Sequence, residues 1–261
     1  MRTIYYYQTF VGLDKILTHV EDVDVINISS IHFGEDDEGK KSIYLNDNKP
    51  DDLNFNELWL QTEQASNQGC IIMLMVGGAG FAYKELFSDF DTYYPLLRNL
   101  INNKSFIRGI DLDIEELTTI ENVKKIINQL IQDFGEEFLI TMAPISASLQ
   151  NDGSSMAGFN YKQLYLSEEG KRIKWFNTQC YNSFTFETYD AIMNNGYPPE
   201  KVVIGMESGQ FDSNTFHSAL TEVKKIKEKY PTFAGVFDWE YLNAPPDSGD
   251  PSQWAKLMKN C

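Results

Sequence analysis

The sequence predicts an α/β fold, a single closed (β/α)8 TIM barrel in which eight parallel strands are ringed by helices. Three observations predict it. Short apolar runs recur about eight times, most of them are separated by segments with helical spacing, and the 261 residues suit a barrel of about 250. No linker, internal repeat or low-complexity run divides the chain, so one domain over 1–261 is expected.

In order, the runs are 2–8 (RTIYYYQ), 23–33 (VDVINISSIHF), 70–77 (CIIMLMVG), 107–115 (IRGIDLDIE), 138–144 (FLITMAP), 175–182 (WFNTQCYN), 201–208 (KVVIGMES) and 233–240 (FAGVFDWE). These apolar runs read as strands. Helical spacing marks 52–69, 91–105, 119–135, 186–196 and 216–231, and these segments end in Gly, Asn, Ser or Pro, as helices do. Residues 34–52 are acidic, contain Gly and Asn, and read as a loop after the second strand that has room for a short hairpin.

A content of 42% hydrophobic and 13% aromatic residues suffices for one large core. Asp and Glu number 38 against 22 Lys and Arg, a formal charge of -16. That balance argues against nucleic acid and anionic membrane as partners, because phosphate binding needs clustered cations. No apolar run reaches the roughly 18 residues of a membrane span. MRTIYYYQTF at the N-terminus has neither the apolar region nor the cleavage site of a signal, so a cytoplasmic location is expected unless a signal has been removed. Three cysteines cannot form a closed disulfide set. Cys70 and Cys180 lie in apolar runs and read as small core residues, Cys261 as a free thiol, and a reducing compartment follows.

The run IRGIDLDIEE carries the chemistry. On a strand, side chains alternate, so Asp111, Asp113 and Glu115 share one face. On an open sheet that face would simply be wet. In a barrel, inward residues near a strand's C-terminal end belong to the active-site face, and the three acids become a ladder climbing toward the mouth. Like charges buried together raise at least one pKa, which suits a general acid.

GIDLDIE resembles the D-x-x-D-x-D-x-E strand signature of glycoside hydrolase family 18, the chitinases and endo-β-N-acetylglucosaminidases, and sits on the fourth strand, as in that family. MVGGAG (75–80) resembles its S-x-G-G turn, with Gly77 and Gly78 bordering the sugar. TMAP (141–144) resembles its fifth-strand end, and QCYN (179–182) the Q-x-Y-N of compact plant-type chitinases. GVFDWEY (235–241) resembles its last strand. The resemblance implies retaining, substrate-assisted hydrolysis, in which the substrate's N-acetyl oxygen attacks the anomeric carbon. Glu115 would then be the acid and base. Asp113 would hold the acetamide N–H, Asp111 would pair with Asp113 and share a proton with it, and Tyr181 would donate to the acetamide oxygen. Trp239 would floor the sugar, and Gln179, Asn182 and Met142 would line the same subsite. Neither metal nor cofactor is implied.

Two residues depart from the pattern: Arg108 stands at the first Asp of the signature and Met75 at the Ser. Parity turns Arg108 away from the ladder and makes it a strand-packing matter. Met75 removes a donor to Asp111, which would lean instead on Tyr5 or Tyr7 or hold a proton more of the time, altering pH dependence or rate.

Other candidates are weaker. GGAG lacks the Lys and Ser/Thr of a phosphate loop, and the acids have no nearby His to complete a metal cage. His19, His32 and His217 read as surface or satisfied histidines, and Trp59, Trp175 and Trp254 as packing. The stretch between the seventh and eighth strands is too short for the insertion domain of one family branch, so a shallow groove is expected. The partner class is an oligosaccharide or polysaccharide containing N-acetylglucosamine, and the protein is expected to be a monomer. The alternative is a non-catalytic glycan-binding lectin or inhibitor on the same barrel, which the presence of Asp113, Glu115 and Tyr181 disfavours.

Overall fold

Segments that bury both faces, alternating with segments that bury one stripe, dictate a sheet covered by helices. The structure is a computed structural model that describes every residue except Ser154. Its strands are β1 (Arg2–Tyr7), β2 (Val25–Glu35), β3 (Lys41–Leu45), β4 (Ile71–Gly77), β5 (Ile107–Asp113), β6 (Leu139–Met142), β7 (Ile173–Gln179), β8 (Val202–Glu207) and β9 (Gly235–Trp239). All but β3 run parallel in the order β1-β9-β8-β7-β6-β5-β4-β2, and β1 pairs with β2 to close the barrel. The second strand runs two residues past its expected end and folds back on β3, with Ile31 opposite Leu45 and Glu35 opposite Lys41. The short hairpin allowed for within 34–52 is formed, with non-strand chain on either side of β3.

The helices are α1 (Asp14–Leu17), α2 (Asn56–Asn67), α3 (Ala82–Ser88), α4 (Phe90–Asn103), α5 (Ile120–Phe134), α6 (Ser146–Gln150), α7 (Tyr161–Tyr165), α8 (Phe186–Asn194), α9 (Phe216–Lys229) and α10 (Ser252–Lys259). The periodic segments became α2, α4, α5, α8 and α9. The others are four to eight residues long, about one or two turns, too short for a 3.6-residue period to register. α5 shows the local logic. The Thr119 hydroxyl accepts from the Asn122 N–H at its start, Val123, Ile126, Ile127 and Leu130 face inward, and Gly135 ends it at φ 85°.

Two cores result. Strand residues of one parity pack against the helices, while Ile4, Tyr6, Met73, Met75, Trp175 and Phe237 fill the barrel itself. The Arg2 guanidinium lies 4.5 Å from the Trp175 ring centre, a cation–π contact at the barrel's N-terminal end. Trp254 packs on Tyr5, and Trp59 donates to the Pro50 carbonyl. Cys70 and Cys180 are buried free thiols, each pushed up to about 12 by desolvation.

The interior alternates large and small. Gly205 points inward beside Phe237, and a Cβ there would lie 1.9 Å from the ring. Gly205→Ala is therefore expected to destabilise the fold by about 1–3 kcal/mol through overpacking, measured as a fall in the urea unfolding midpoint. An unchanged midpoint would show that the interior has slack at this layer.

Candidate active site

Parity on β5 sends Asp111 and Asp113 into the barrel, and Glu115, two residues past the strand end, follows them to the mouth. Asp111 is fully buried, Asp113 is 4% exposed and Glu115 is partly exposed. The ladder therefore rises from core to solvent.

Neutral donors from three other strands hold Asp111. Tyr6 Oη of β1 donates to Oδ2 at 2.6 Å, while Thr141 Oγ1 of β6 and Asn177 Nδ2 of β7 donate to Oδ1 at 2.5 and 3.0 Å. Trp175 Nε1 orients Asn177 from below at 2.8 Å. The tyrosine is Tyr6, not Tyr5 or Tyr7, because the even positions of β1 face inward. Tyr5 donates to the Pro251 carbonyl and Tyr7 accepts from the Gly12 N–H, both on the outer side. All of the side-chain donors found on Asp111 among the described residues therefore come from other strands.

Asp113 is turned toward Glu115. Gln179 Nε2 lies 3.0 Å from Asp113 Oδ1, 3.1 Å from Glu115 Oε1 and 3.0 Å from the Ala143 carbonyl. With acceptors on every side the amide has one sensible orientation, nitrogen toward the acids. Burial pushes the Asp111 carboxyl up despite its three donors. Asp113 is held well above the usual carboxylate range by desolvation, then by the charges of Glu115 and Asp111, with the Gln179 bond opposing.

These groups floor a cavity of about 290 Å³. Tyr181 and Trp239 stand on one side. Gly77 and Gly78 border the other, and Gln8, Ser30 and His32 lead out of it. The Tyr181 ring meets Phe237 edge-on, and burial with the nearby acids keeps its phenol protonated. Trp239 ends β9 with its ring 5.4 Å from that of Tyr6. The glycines are required. Gly77 and Gly78 have φ 107° and 79°, a Cβ on Gly77 would sit 2.0 Å from the Asp113 carbonyl oxygen, and the Gly78 N–H donates to that same oxygen.

A shallow groove of about 740 Å³ continues past Thr9, Phe10 and Asn46 to Asn48. Among the described residues no Lys or Arg lines the cavity or the groove.

Asp113, Glu115, Gln179, Tyr181, Trp239, Gly77 and Gly78 thus converge, with Asp111 beneath them. Two expected site residues do not join. Met142 pairs in register with Leu112 and points outward into the helix-facing core, while its inward neighbour Thr141 serves the site. Asn182 lies beyond the end of β7 at φ 58°, is exposed, and gives its N–H to Gln210 Oε1. Arg108 is exposed and so contributes little to strand packing.

His32, expected as a surface or satisfied residue, is half-buried in the cavity wall with Nε2 2.7 Å from Ser30 Oγ. Desolvation lowers its pKa and favours the neutral ring. The sequence reading missed Tyr6, Thr141, Asn177, Gln8, Ser30 and His32. For Thr141 and Asn177 a signal existed, namely single polar residues inside apolar strands.

Comparison with solved structures follows the same lines. The chain is similar to a fungal endo-β-N-acetylglucosaminidase from glycosyl hydrolase family 18, with 30% identity, 99% of this chain and 97% of that one covered, and a TM-score of 0.86. It is equally similar to a chitinase from Aspergillus fumigatus, with 31% identity, 99% and 98% covered, and a TM-score of 0.84. A chitinase-like agglutinin from Robinia pseudoacacia shares the fold at 12% identity, 98% and 99% covered, and a TM-score of 0.65. No sequence-family model and no curated protein matches the chain.

The raised Asp113 pKa has a consequence for stability. The folded state keeps this proton above the ordinary carboxylate value of 3.8, so it binds more protons than the unfolded chain and loses stability as pH rises through that window. Asp113→Asn lacks the titration. Its stability relative to wild type is expected to rise with pH from 4 upward, by at most about 1.4 kcal/mol per pH unit, in urea unfolding at pH 4, 6 and 8. A constant difference across the three would contradict the assignment.

Proposed function

The chain belongs to glycoside hydrolase family 18, and on that premise we propose that it cleaves β-1,4 linkages next to N-acetylglucosamine, in chitin oligomers or the chitobiose core of N-linked glycans, with retention. The observation that carries this reading is the pair Asp113 and Glu115, bridged by one neutral amide, facing a cavity with Tyr181 and Trp239 and lined by no cation among the described residues.

The chemistry follows from that geometry. The sugar rests on the Trp239 ring, and the Tyr181 hydroxyl donates to the acetamide carbonyl oxygen. Glu115 gives its proton to the glycosidic oxygen as the bond from that oxygen to the anomeric carbon breaks. The acetamide oxygen closes on the anomeric carbon and forms an oxazolinium, whose N–H bonds to Asp113. Glu115, now ionised, takes a proton from a water that attacks the same carbon, while the bond from that carbon to the acetamide oxygen breaks and the neutral acetamide is restored. Two displacements restore the original stereochemistry.

Lack of a cation is an asset in this scheme. In the free protein the buried acids have no counter-charge among the described residues, which disfavours the ionised form of Asp113. The oxazolinium supplies positive charge at the Asp113 oxygens only as it forms. The interaction is therefore stronger in the transition state than with bound substrate, as catalysis requires. The groove past Gln8, Ser30 and His32 would accept further sugar units, consistent with endo action.

Hydrolysis of chromogenic chitobiose and chitotriose glycosides tests the proposal. Glu115→Gln is expected to lower kcat by roughly 10²–10⁴-fold with sugar binding kept. Wild type and variant equally silent, yet both binding sugar, would favour the lectin reading. Glycan release from a high-mannose glycoprotein, assayed in parallel, separates the two substrate classes.

A further inference from the structure

Glu115 has a second face. Behind it, away from the Trp239 side, lies a small cavity of about 10 Å³ to which Glu115, Gln179, Pro144, Ile145, Ser148 and Tyr161 contribute. Glu115 and Gln179 line both this cavity and the larger one in front. The space suits a single water and nothing larger.

Tyr161 makes the cavity informative. It opens α7, is 2% exposed, and its ring is wedged between Phe159 and Phe176, with centres 4.7 and 6.4 Å away. Its hydroxyl is buried and makes no hydrogen bond among the described residues. A phenol held this way cannot swing to solvent, and buried polar atoms are rarely left unpaired. Ser148, 4% exposed, offers a second hydroxyl at the same wall. Tyr161, Ser148 and Glu115 together supply the two to four polar partners that a buried water needs.

We propose that one ordered water sits in this cavity and joins the Tyr161 hydroxyl to the Glu115 carboxyl from behind, making Tyr161 a positioning residue for the proton-handling acid. The inference rests on the glycosidase reading for its consequence, though not for the water itself. Tyr161 donates to the water and the water donates to Glu115, favouring the ionised carboxylate each time the proton has left. With one oxygen on Gln179, Glu115 is also fixed in rotation, its reactive edge toward the glycosidic oxygen.

Among the described residues, titratable groups around Glu115 include Asp113 of β5, His32 of β2 and Tyr181 beyond β7, and the Tyr161 phenol itself also faces Asp113, Asp111 and Tyr197. Glu116 is turned away to the N–H groups of Tyr83 and Lys84. Burial and the nearby acids hold the Tyr161 phenol protonated, so it remains a donor throughout the working range.

High-resolution crystal structures of wild type and Tyr161→Phe, with pH profiles of kcat/KM on a chromogenic chitobiose glycoside, test this. The wild-type crystal is expected to show a water within hydrogen-bonding distance of both Tyr161 Oη and a Glu115 oxygen, lost or displaced in the variant. The alkaline limb of the variant's profile should move up by about half a pH unit, because the ionised acid has lost a donor. A merely structural hydroxyl would change the melting temperature and leave that limb in place. A dry cavity, or a bridging water with an unmoved limb, overturns the proposal while the glycosidase reading stands. An inactive wild type sinks that reading instead, and the crystal then decides the bridge alone.

Discussion

Two aspartates buried in the barrel, with no cation beside them among the described residues, constrain everything around them. A carboxylate taken out of water is costly unless it is hydrogen-bonded or keeps its proton, and this site does both. Asp111 is surrounded by hydroxyl and amide donors from β1, β6 and β7, and Asp113 retains a proton over a pH range in which exposed aspartates have lost theirs. The donors must come from other strands, the adjacent β6 and, farther round the barrel, β7 and β1, because the neighbours of Asp111 on β5 face the other way. Closure of the sheet is thus a condition for the acids to be tolerated, and the acids in turn dictate polar residues at three inward positions of other strands.

Strand parity made much of this legible in the sequence. Asp111, Asp113 and Glu115 alternate with Ile110, Leu112 and Ile114, so their common face was certain once the element was a strand. Parity was silent where both faces are apolar or aromatic. Tyr5, Tyr6 and Tyr7 form such a run, and only the register of β1 against β2 and β9 fixes Tyr6 as the inward one. Met142 has the same ambiguity beside Thr141. At Asn182 the chain has left β7 for a left-handed turn, where alternation no longer applies. The short helices escaped notice because one or two turns carry no periodicity to detect.

With Met75 in place Asp111 does lean on a first-strand tyrosine, Tyr6 instead of Tyr5 or Tyr7, and burial pushes its carboxyl up. A serine there would add a fourth donor to Asp111. Met75 adds none, is fully buried, and packs its methyl against the Gly77–Gly78 turn. Thr141, Asn177 and Tyr6 already occupy the Asp111 oxygens. What the thioether supplies is dryness, since an apolar wall under Asp113 excludes the water that would otherwise ease its ionisation.

The Gly77–Gly78 turn also bears on how such a site can diversify. On that side the wall of the cavity is bare main chain in a conformation side chains rarely adopt, so its width is set by covalent geometry and not by rotamers. Selection has nothing to trim there and little it could add. A lineage adapting this cavity to a bulkier or slimmer glycan would have to work from the opposite, aromatic wall or from the β2–β3 hairpin. One flank of the site is in effect frozen, and the other carries its evolutionary freedom.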